Sequence, residues 1–276
     1  MNKFFLPALL ALVFTAFANP APAHAQSFST LMEQRVFYQF SSKRSPARKV
    51  HEKMSQRGYK GLVLWVAKPK PGRPTVLYLP GSGGDLKVRT RKFRFFIAKG
   101  YGVVAMAYPG MAGSKGEPSR KRIQSLANQL YRDIGKFTPS KDIVIMGESL
   151  GTGVALEIAT SKAGRARPPS AIILQSPYTS LVDLTAAKNP ALLPFFVSRT
   201  DLWPSKRTIQ KLKLPIFIMH GKRDKTVPFK MGKTLYALSP SRNKVLATHP
   251  DAGHSSIWRS VILKQMHAWL KEIHAK

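Results

Sequence analysis

The 276-residue chain predicts an α/β protein: a mostly parallel central sheet, helices on both faces and a small cap insertion. Three observations lead there. Short apolar runs recur without polar alternation, as strands covered on both faces require. Amphipathic segments of helix length separate most of them, and that rhythm implies parallel strands joined by helices. One run breaks into Gly147-Glu148-Ser149-Leu150-Gly151, and a small-residue helix pattern starts at once.

The chain opens on Met1-Asn2-Lys3 and the apolar stretch "FFLPALLALVFTAF", followed by "ANPAPAHA". The apolar core is short for a span of roughly 20 residues, and Ala23 and Ala25 put small residues before a cut. Residues 1–25 therefore read as a secretory signal peptide. Cleavage is expected between Ala25 and Gln26, giving an exported, periplasmic or secreted protein; an uncleaved anchor is the alternative. Residues 26–60 form a polar N-terminal leader, and 61–276 the main domain, with its cap at about 177–213.

Composition narrows the chemistry. There is no cysteine, so a disulfide framework, a thiolate zinc site and a cysteine nucleophile are excluded. Lys and Arg number 45 against 13 Asp and Glu, a net charge of +32, which attracts polyanions or anionic lipid. The cations are scattered, as in Lys87, Arg89, Arg91, Lys92 and Arg94, with no zinc-finger spacing or aromatic RNA-binding signature. Charge sets encounter and not base readout, so no specific nucleic-acid partner is expected. Electrostatic association with an anionic envelope surface or lipid is the expected use of this surface. Oligomeric state is not readable from the sequence.

Strands are predicted at 61–67, 75–80, 102–108, 142–147, 171–176, 215–220 and 243–249, the first two close enough to form an antiparallel edge. Helices are predicted at about 86–99, 119–136, 150–163, 228–239 and 256–274. The interval 177–213 is far longer than an ordinary connection and holds the apolar knot Leu192 to Val197. It reads as a cap over the carboxyl ends of the strands or as a packed helical connection without a ligand role. Phe195, Phe196 and Trp203 line an acyl pocket in the first reading and are core in the second.

G-x-S-x-G after a strand and before a helix is the nucleophile elbow. The serine sits on a strained turn with its hydroxyl above the sheet, the flanking glycines avoid the neighbouring strand, and the helix amides face developing negative charge. Ser149 is thus the expected nucleophile, and it needs a base. His254, in a loop between the last strand and the last helix, is placed for this. His249 is its main competitor. His220 ends a strand and reads as a core imidazole, His267 and His274 lie on the last helix, and His24 and His51 precede the sheet.

The acid comes from Asp183, Asp201, Asp224 or Asp251. Asp224 follows a strand and a tight turn, and so emerges at the same sheet edge as Ser149; an ordinary turn aspartate is the alternative. Gly81-Ser82-Gly83-Gly84, after the "TVLYLP" strand, offers a second oxyanion donor. The expected pair of donors is the Ser82 and Leu150 amides. A phosphate-loop reading fails for want of the Gly-Lys-Ser/Thr ending.

The segments "LPGSGGD", "AYPGMAGSKGEPS", "IVIMGESLGTGVALEIA", "LQSPYTSLVD", "IFIMHGKRDKTVPF" and "AGHSS" resemble, in order and spacing, those of α/β-hydrolases. Within that superfamily the chain is similar to the serine-hydrolase branch of ABHD-type lipid hydrolases and protein depalmitoylases, over roughly residues 60–272. The resemblance implies the α/β-hydrolase fold, a Ser149, Asp224, His254 triad and an acyl-ester or thioester substrate. It departs at Pro80, where the branch usually carries a histidine that shapes the oxyanion loop. The shape of that loop in this chain therefore does not follow from the resemblance.

The function read here is an exported serine hydrolase acting on small-molecule or lipid acyl esters through an acyl-enzyme. It calls on no metal and no organic cofactor. Acyl transfer with the same triad, peptidase action and non-catalytic binding to the envelope through the basic surface are the rival readings.

Overall fold

A computed structural model of the chain describes residues 28–40 and 49–275. The proposed signal peptide and its cleavage site lie outside the described residues. Eight strands form one sheet: β1 (Ser55–Tyr59), β2 (Leu62–Ala67), β3 (Thr75–Leu79), β4 (Gly102–Met106), β5 (Ile143–Glu148), β6 (Ala171–Gln175), β7 (Ile216–Gly221) and β8 (Lys244–His249). Their order is β1-β2-β4-β3-β5-β6-β7-β8. β2 runs antiparallel to both its neighbours, and every pair from β4 to β8 is parallel.

The helices are α1 (Phe28–Phe37), α2 (Thr90–Ala98), α3 (Arg120–Arg132), α4 (Leu150–Thr160), α5 (Lys162–Ala166), α6 (Leu181–Lys188), α7 (Ser205–Ile209), α8 (Phe229–Leu238) and α9 (Ser260–Ile273). The step from β3 through α2 to β4 goes one way along the sheet, and the step from β4 through α3 to β5 goes back. Right-handed crossovers then place α2 and α3 on opposite faces. This covers the sheet on both sides, and every residue of β3, β4, β6 and β7 is buried.

Two details differ from the sequence expectation. The antiparallel edge is not made by the first two apolar runs. It is a hairpin of "SQRGY" and "LVLWVA", in register Ser55 to Val66 through Tyr59 to Leu62, while "TVLYL" inserts between β4 and β5. β1 is exposed over its first four residues, so no apolar run announced it. The polar leader also contributes more than a lead-in. Beyond supplying β1, its helix α1 packs on the cap, with the Phe37 and Phe196 rings 5.0 Å apart. Glu33, only 2% exposed, receives Arg199 Nη2 of the cap at 3.1 Å and the Arg120 backbone N–H at the start of α3.

The strand order also creates the place where a site can form. β3 hands the chain towards β4 while its neighbour β5 hands it towards β6, so the loops leaving these two strands diverge. A crevice opens at the carboxyl end of such a switch point. The turn after β5 enters α4 immediately, and two glycines permit it. A Cβ on Gly147 would overlap the Gly151 carbonyl, and a Cβ on Gly151 would overlap the Leu79 carbonyl of β3.

The same corner buries charge. The Glu148 carboxylate is 14% exposed, and its Oε2 accepts from Lys92 Nζ at 2.6 Å, Arg89 Nε at 3.2 Å and the Tyr78 hydroxyl. Burial by itself raises this carboxyl's pKa, but Lys92 and Arg89 more than offset it and bring it from 4.5 to about 2.

Two outcomes follow. Gly151→Ala, which must push α4 off β3, is expected to cost about 1–3 kcal/mol by urea denaturation. Glu148→Gln, which strands two buried cations, is expected to cost about 3 kcal/mol at neutral pH. Because the folded pKa is depressed, the carboxylate's contribution is complete above pH 4.5 and is lost as pH falls towards about 2. Thermal melts should therefore show the gap between parent and variant closing across that window.

Candidate active site

Five parallel strands deliver their following loops to one edge of the sheet. Ser82 follows β3, Ser149 follows β5, Ser176 follows β6, Asp224 follows β7 and His254 follows β8. Residues far apart in sequence, from 82 to 254, are thus delivered to the same edge of the sheet.

Ser149 has φ 49° and ψ −115°, a left-handed conformation that costs on the order of 1–3 kcal/mol for a residue with a Cβ. The surroundings hold it there. Its N–H donates to the Gln175 carbonyl of β6 at 2.9 Å, and its own carbonyl accepts from the Thr152 N–H at 2.9 Å and the Thr152 hydroxyl at 2.7 Å. Leu150 opens α4 directly, so its N–H belongs to a helix first turn and has no intrahelical carbonyl to meet. Gly81 lies against the serine: a Cβ there would stand 3.2 Å from Ser149 Cβ.

Asp224 and His254, 30 residues apart, are brought together. His254 Nδ1 lies 2.8 Å from Asp224 Oδ2, with the Asp224 side chain fully buried and the imidazole 21% exposed. The other carboxylate oxygen accepts the backbone N–H groups of Thr226 at 2.9 Å and Val227 at 2.8 Å. Burial pushes the Asp224 pKa up, but the hydrogen bonds from His220 and His254 and the charge of His254 prevail, holding the carboxyl well below the usual carboxylate range. An ionised carboxylate only accepts, so in the neutral form of His254 the proton sits on Nδ1 and Nε2 keeps its lone pair. The His254 loop is anchored near the elbow: Ser176, which follows Gln175, donates its hydroxyl to the His254 carbonyl at 3.3 Å.

His220 is a core imidazole, as its place at the end of a strand suggests, but it also touches the carboxylate. Its Nε2 lies 3.0 Å from the Val227 carbonyl and 3.3 Å from Asp224 Oδ2. It is the donor there, and Nδ1 is left bare and buried against Gly232. The remaining acid candidates are engaged elsewhere. Asp183 pairs with Lys206, Asp201 with Arg199 and Asp251 with Arg223. His249 Nδ1 accepts from the Asp251 N–H.

A cavity of about 380 Å³ opens beside the serine, and Ser82, Ser149 and Leu150 all line it. So do Lys225, Thr226 and Val227, the residues that follow Asp224. Its apolar lining comes from Val36 and Phe37 of α1 and from Leu181 and Leu184 of α6. Lys188 and Lys225 add two exposed cations. The cap thus contributes to the cavity, but not through the aromatic residues singled out in the sequence. Phe196 and Trp203 are fully buried in the core, and the Trp203 Nε1–H donates to Gln124 Oε1 at 2.9 Å.

Sequence reasoning did not find the cluster of Glu148, Arg89 and Lys92. Arg89 reads as one of a run of surface cations, yet it is 3% exposed. The available signal was periodicity: Arg89 shares a helical stripe with Phe93 and Phe96, both fully buried. The role of α1 as a wall of the cavity left no motif at all.

Comparison with known proteins agrees with this architecture. The model of a family described as alpha/beta hydrolase fold matches residues 74–271. Lysophosphatidylserine lipase ABHD12 of Danio rerio is 34% identical over 203 residues, covering 67% of this chain and 52% of that protein. Protein ABHD12B of Homo sapiens is 28% identical over 217 residues, covering 70% of this chain and 59% of that one. The chain spans about half the length of the curated relatives it matches. Among solved structures, monoglyceride lipase of Saccharomyces cerevisiae superposes with a TM-score of 0.62 at 18% identity, covering 84% of this chain and 98% of that one. Est1E of Butyrivibrio proteoclasticus gives 0.65 at 18% identity, covering 80% and 100%. With its sheet order, its strand–helix corner and a family match over most of its length, the chain belongs to the α/β-hydrolase fold family.

Proposed function

We propose that this protein is an exported serine hydrolase that cleaves carboxylic ester or thioester bonds through an acyl-enzyme on Ser149, His254 and Asp224. The observation that carries the reading is the 2.8 Å bond between His254 Nδ1 and the buried Asp224 carboxylate, at the sheet edge where Ser149 lines a cavity. Ser149 Oγ attacks the carbonyl carbon while His254 Nε2 takes its proton. The oxyanion is held by the Leu150 and Ser82 N–H groups. His254 returns the proton to the leaving oxygen or sulfur as the bond breaks. Water, deprotonated by the same nitrogen, then attacks the acyl-enzyme, and the collapsing intermediate releases the acid and restores the serine.

The cavity suggests the substrate class. Val36, Phe37, Leu181 and Leu184 suit an acyl chain, and Lys188 and Lys225 suit an anionic head group. A single-chain lipid ester of the lysophospholipid type fits both, in keeping with relatives named as lysophosphatidylserine lipases. Export rests on the sequence of residues 1–25. Among the described residues no helix is long and apolar enough to cross a membrane. The strongly positive charge, +32 for the full chain and all but Lys3 of it beyond residue 25, would hold an exported protein near anionic lipid at low salt.

Fluorophosphonate labelling of the folded protein should modify Ser149. Ser149→Ala should lower p-nitrophenyl ester turnover by about 10⁴-fold, and Asp224→Asn by about 10³–10⁴-fold. Parent-like rates in Ser149→Ala would refute the reading. Reversing both cations, Lys188→Glu with Lys225→Glu, should lower kcat/KM for an anionic lysophospholipid relative to a neutral monoacylglycerol by roughly threefold to tenfold, the scale of exposed charge pairs. An unchanged ratio would remove the head-group assignment and leave the nucleophile untouched.

A further inference from the structure

The loop from Gly81 to Asp85 contains three glycines, and Pro80 before it carries no side-chain donor. At its far end Asp85 Oδ1 accepts the Lys87 N–H at 2.8 Å, and three of its carbonyls are held by Arg89. The buried guanidinium donates through Nη2 to the Gly83 carbonyl at 2.8 Å and the Gly81 carbonyl at 3.2 Å, and through Nη1 to the Asp85 carbonyl at 2.6 Å. Its Nε donates to Glu148 Oε2 at 3.2 Å. Glu148 is the residue before Ser149. Lys92 bonds the same oxygen and extends to Gln175 Oε1 at 2.9 Å, and it is the Gln175 carbonyl that receives the Ser149 N–H.

The direction of the Gly81 bond has a consequence. No cis peptide is present among the described residues, and in a trans peptide the C=O and the following N–H point opposite ways. Fixing the Gly81 carbonyl on Arg89 therefore turns the Ser82 N–H away from the guanidinium. Ser82 lines the cavity together with Ser149, and Gly81 sits against the serine's Cβ. We propose that Arg89 is a positioning residue for the oxyanion loop: it sets the plane of the Gly81–Ser82 peptide and, through Glu148, ties that plane to the backbone of the nucleophile.

The inference rests on the serine-hydrolase reading for its effect on rate, but not for its effect on the loop. A guanidinium is needed because one side chain must reach three carbonyls and a carboxylate in a fixed fork. A lysine keeps the charge beside Glu148 but cannot span all four. The arrangement also explains why this arginine is buried: three backbone carbonyls and a carboxylate satisfy it.

The test is Arg89→Lys, compared with the parent by amide hydrogen exchange across residues 80–86 and by steady-state ester hydrolysis. Exchange in the loop should rise at least tenfold, with protection of β5 and β6 retained. Loss of one oriented oxyanion donor should lower kcat by about 10²-fold while KM stays within about threefold. A transition-state analogue such as a boronic acid should weaken in parallel with kcat/KM, and a fatty acid product should not. Arg89→Met should show the same pattern more strongly; if it does not fold, Arg89→Lys alone decides. Faster exchange in Arg89→Lys, with a parent that turns over no ester, would uphold the strut and refute the hydrolase reading. Parent-like exchange, or a parent-like kcat in an active enzyme, would overturn the inference.

Discussion

At φ 49° and ψ −115°, Ser149 occupies backbone that a residue with a Cβ avoids, and hydrogen bonds on both sides of the residue hold it there. Its N–H is committed to β6, its carbonyl to Thr152, and α4 starts on the next residue. The helix can start there only because it comes close enough to β3 to exclude a Cβ at Gly151. Close packing of β3, β5 and β6, strain at one residue and an immediate helix start are thus one constraint. It sits at the switch point of the strand order, where the loops leaving β3 and β5 part and leave room for a ligand.

The charges near this corner obey a common rule: none is buried without a partner that fixes its state. Asp224 has two backbone donors on one oxygen and two imidazoles near the other, so its carboxyl is held ionised in spite of burial. Glu148 is held ionised by Arg89 and Lys92 in the same way. The two carboxylates do different jobs. Asp224 holds a partly exposed ring, whereas Glu148, through Arg89 and Lys92, links backbone on either side of the crevice. A carboxylate that only accepts leaves no choice of tautomer to its partner, which is how a fixed group can prepare a distant one for proton transfer.

Much of this was legible in the chain. Seven apolar runs became seven strands because, in a sheet covered on both faces, burial itself writes the sequence pattern. Ser149, Asp224 and His254 could be picked out because each follows a parallel strand, and parallel strands share an edge. β1 was not legible: an exposed edge strand such as "SQRGY" needs no apolar run, and its pairing with β2 decides its structure. The cap aromatics stayed open between pocket and core for a related reason. Phe196 and Trp203 look alike in sequence whether they face a ligand or the core, and only packing against α1 and Gln124 settles it. Arg89 was hidden among exposed cations because its partners are carbonyls, and carbonyls have no signature in a sequence.

The cap and α1 close the cavity from outside the sheet, and Glu33 joins them to the start of α3 through Arg199 and the Arg120 N–H. The shape offered to a ligand is therefore set by elements distant from the chemistry. The chemistry itself turns on whether Ser149 carries an acyl group that His254 both makes and removes. The most direct measurement is acid quenching during turnover of a p-nitrophenyl ester, followed by mass spectrometry of the peptide containing residue 149. An acyl adduct on Ser149 is expected in the parent and none in His254→Ala. Release of p-nitrophenol with no adduct on that peptide, or an adduct formed equally well without His254, would contradict it.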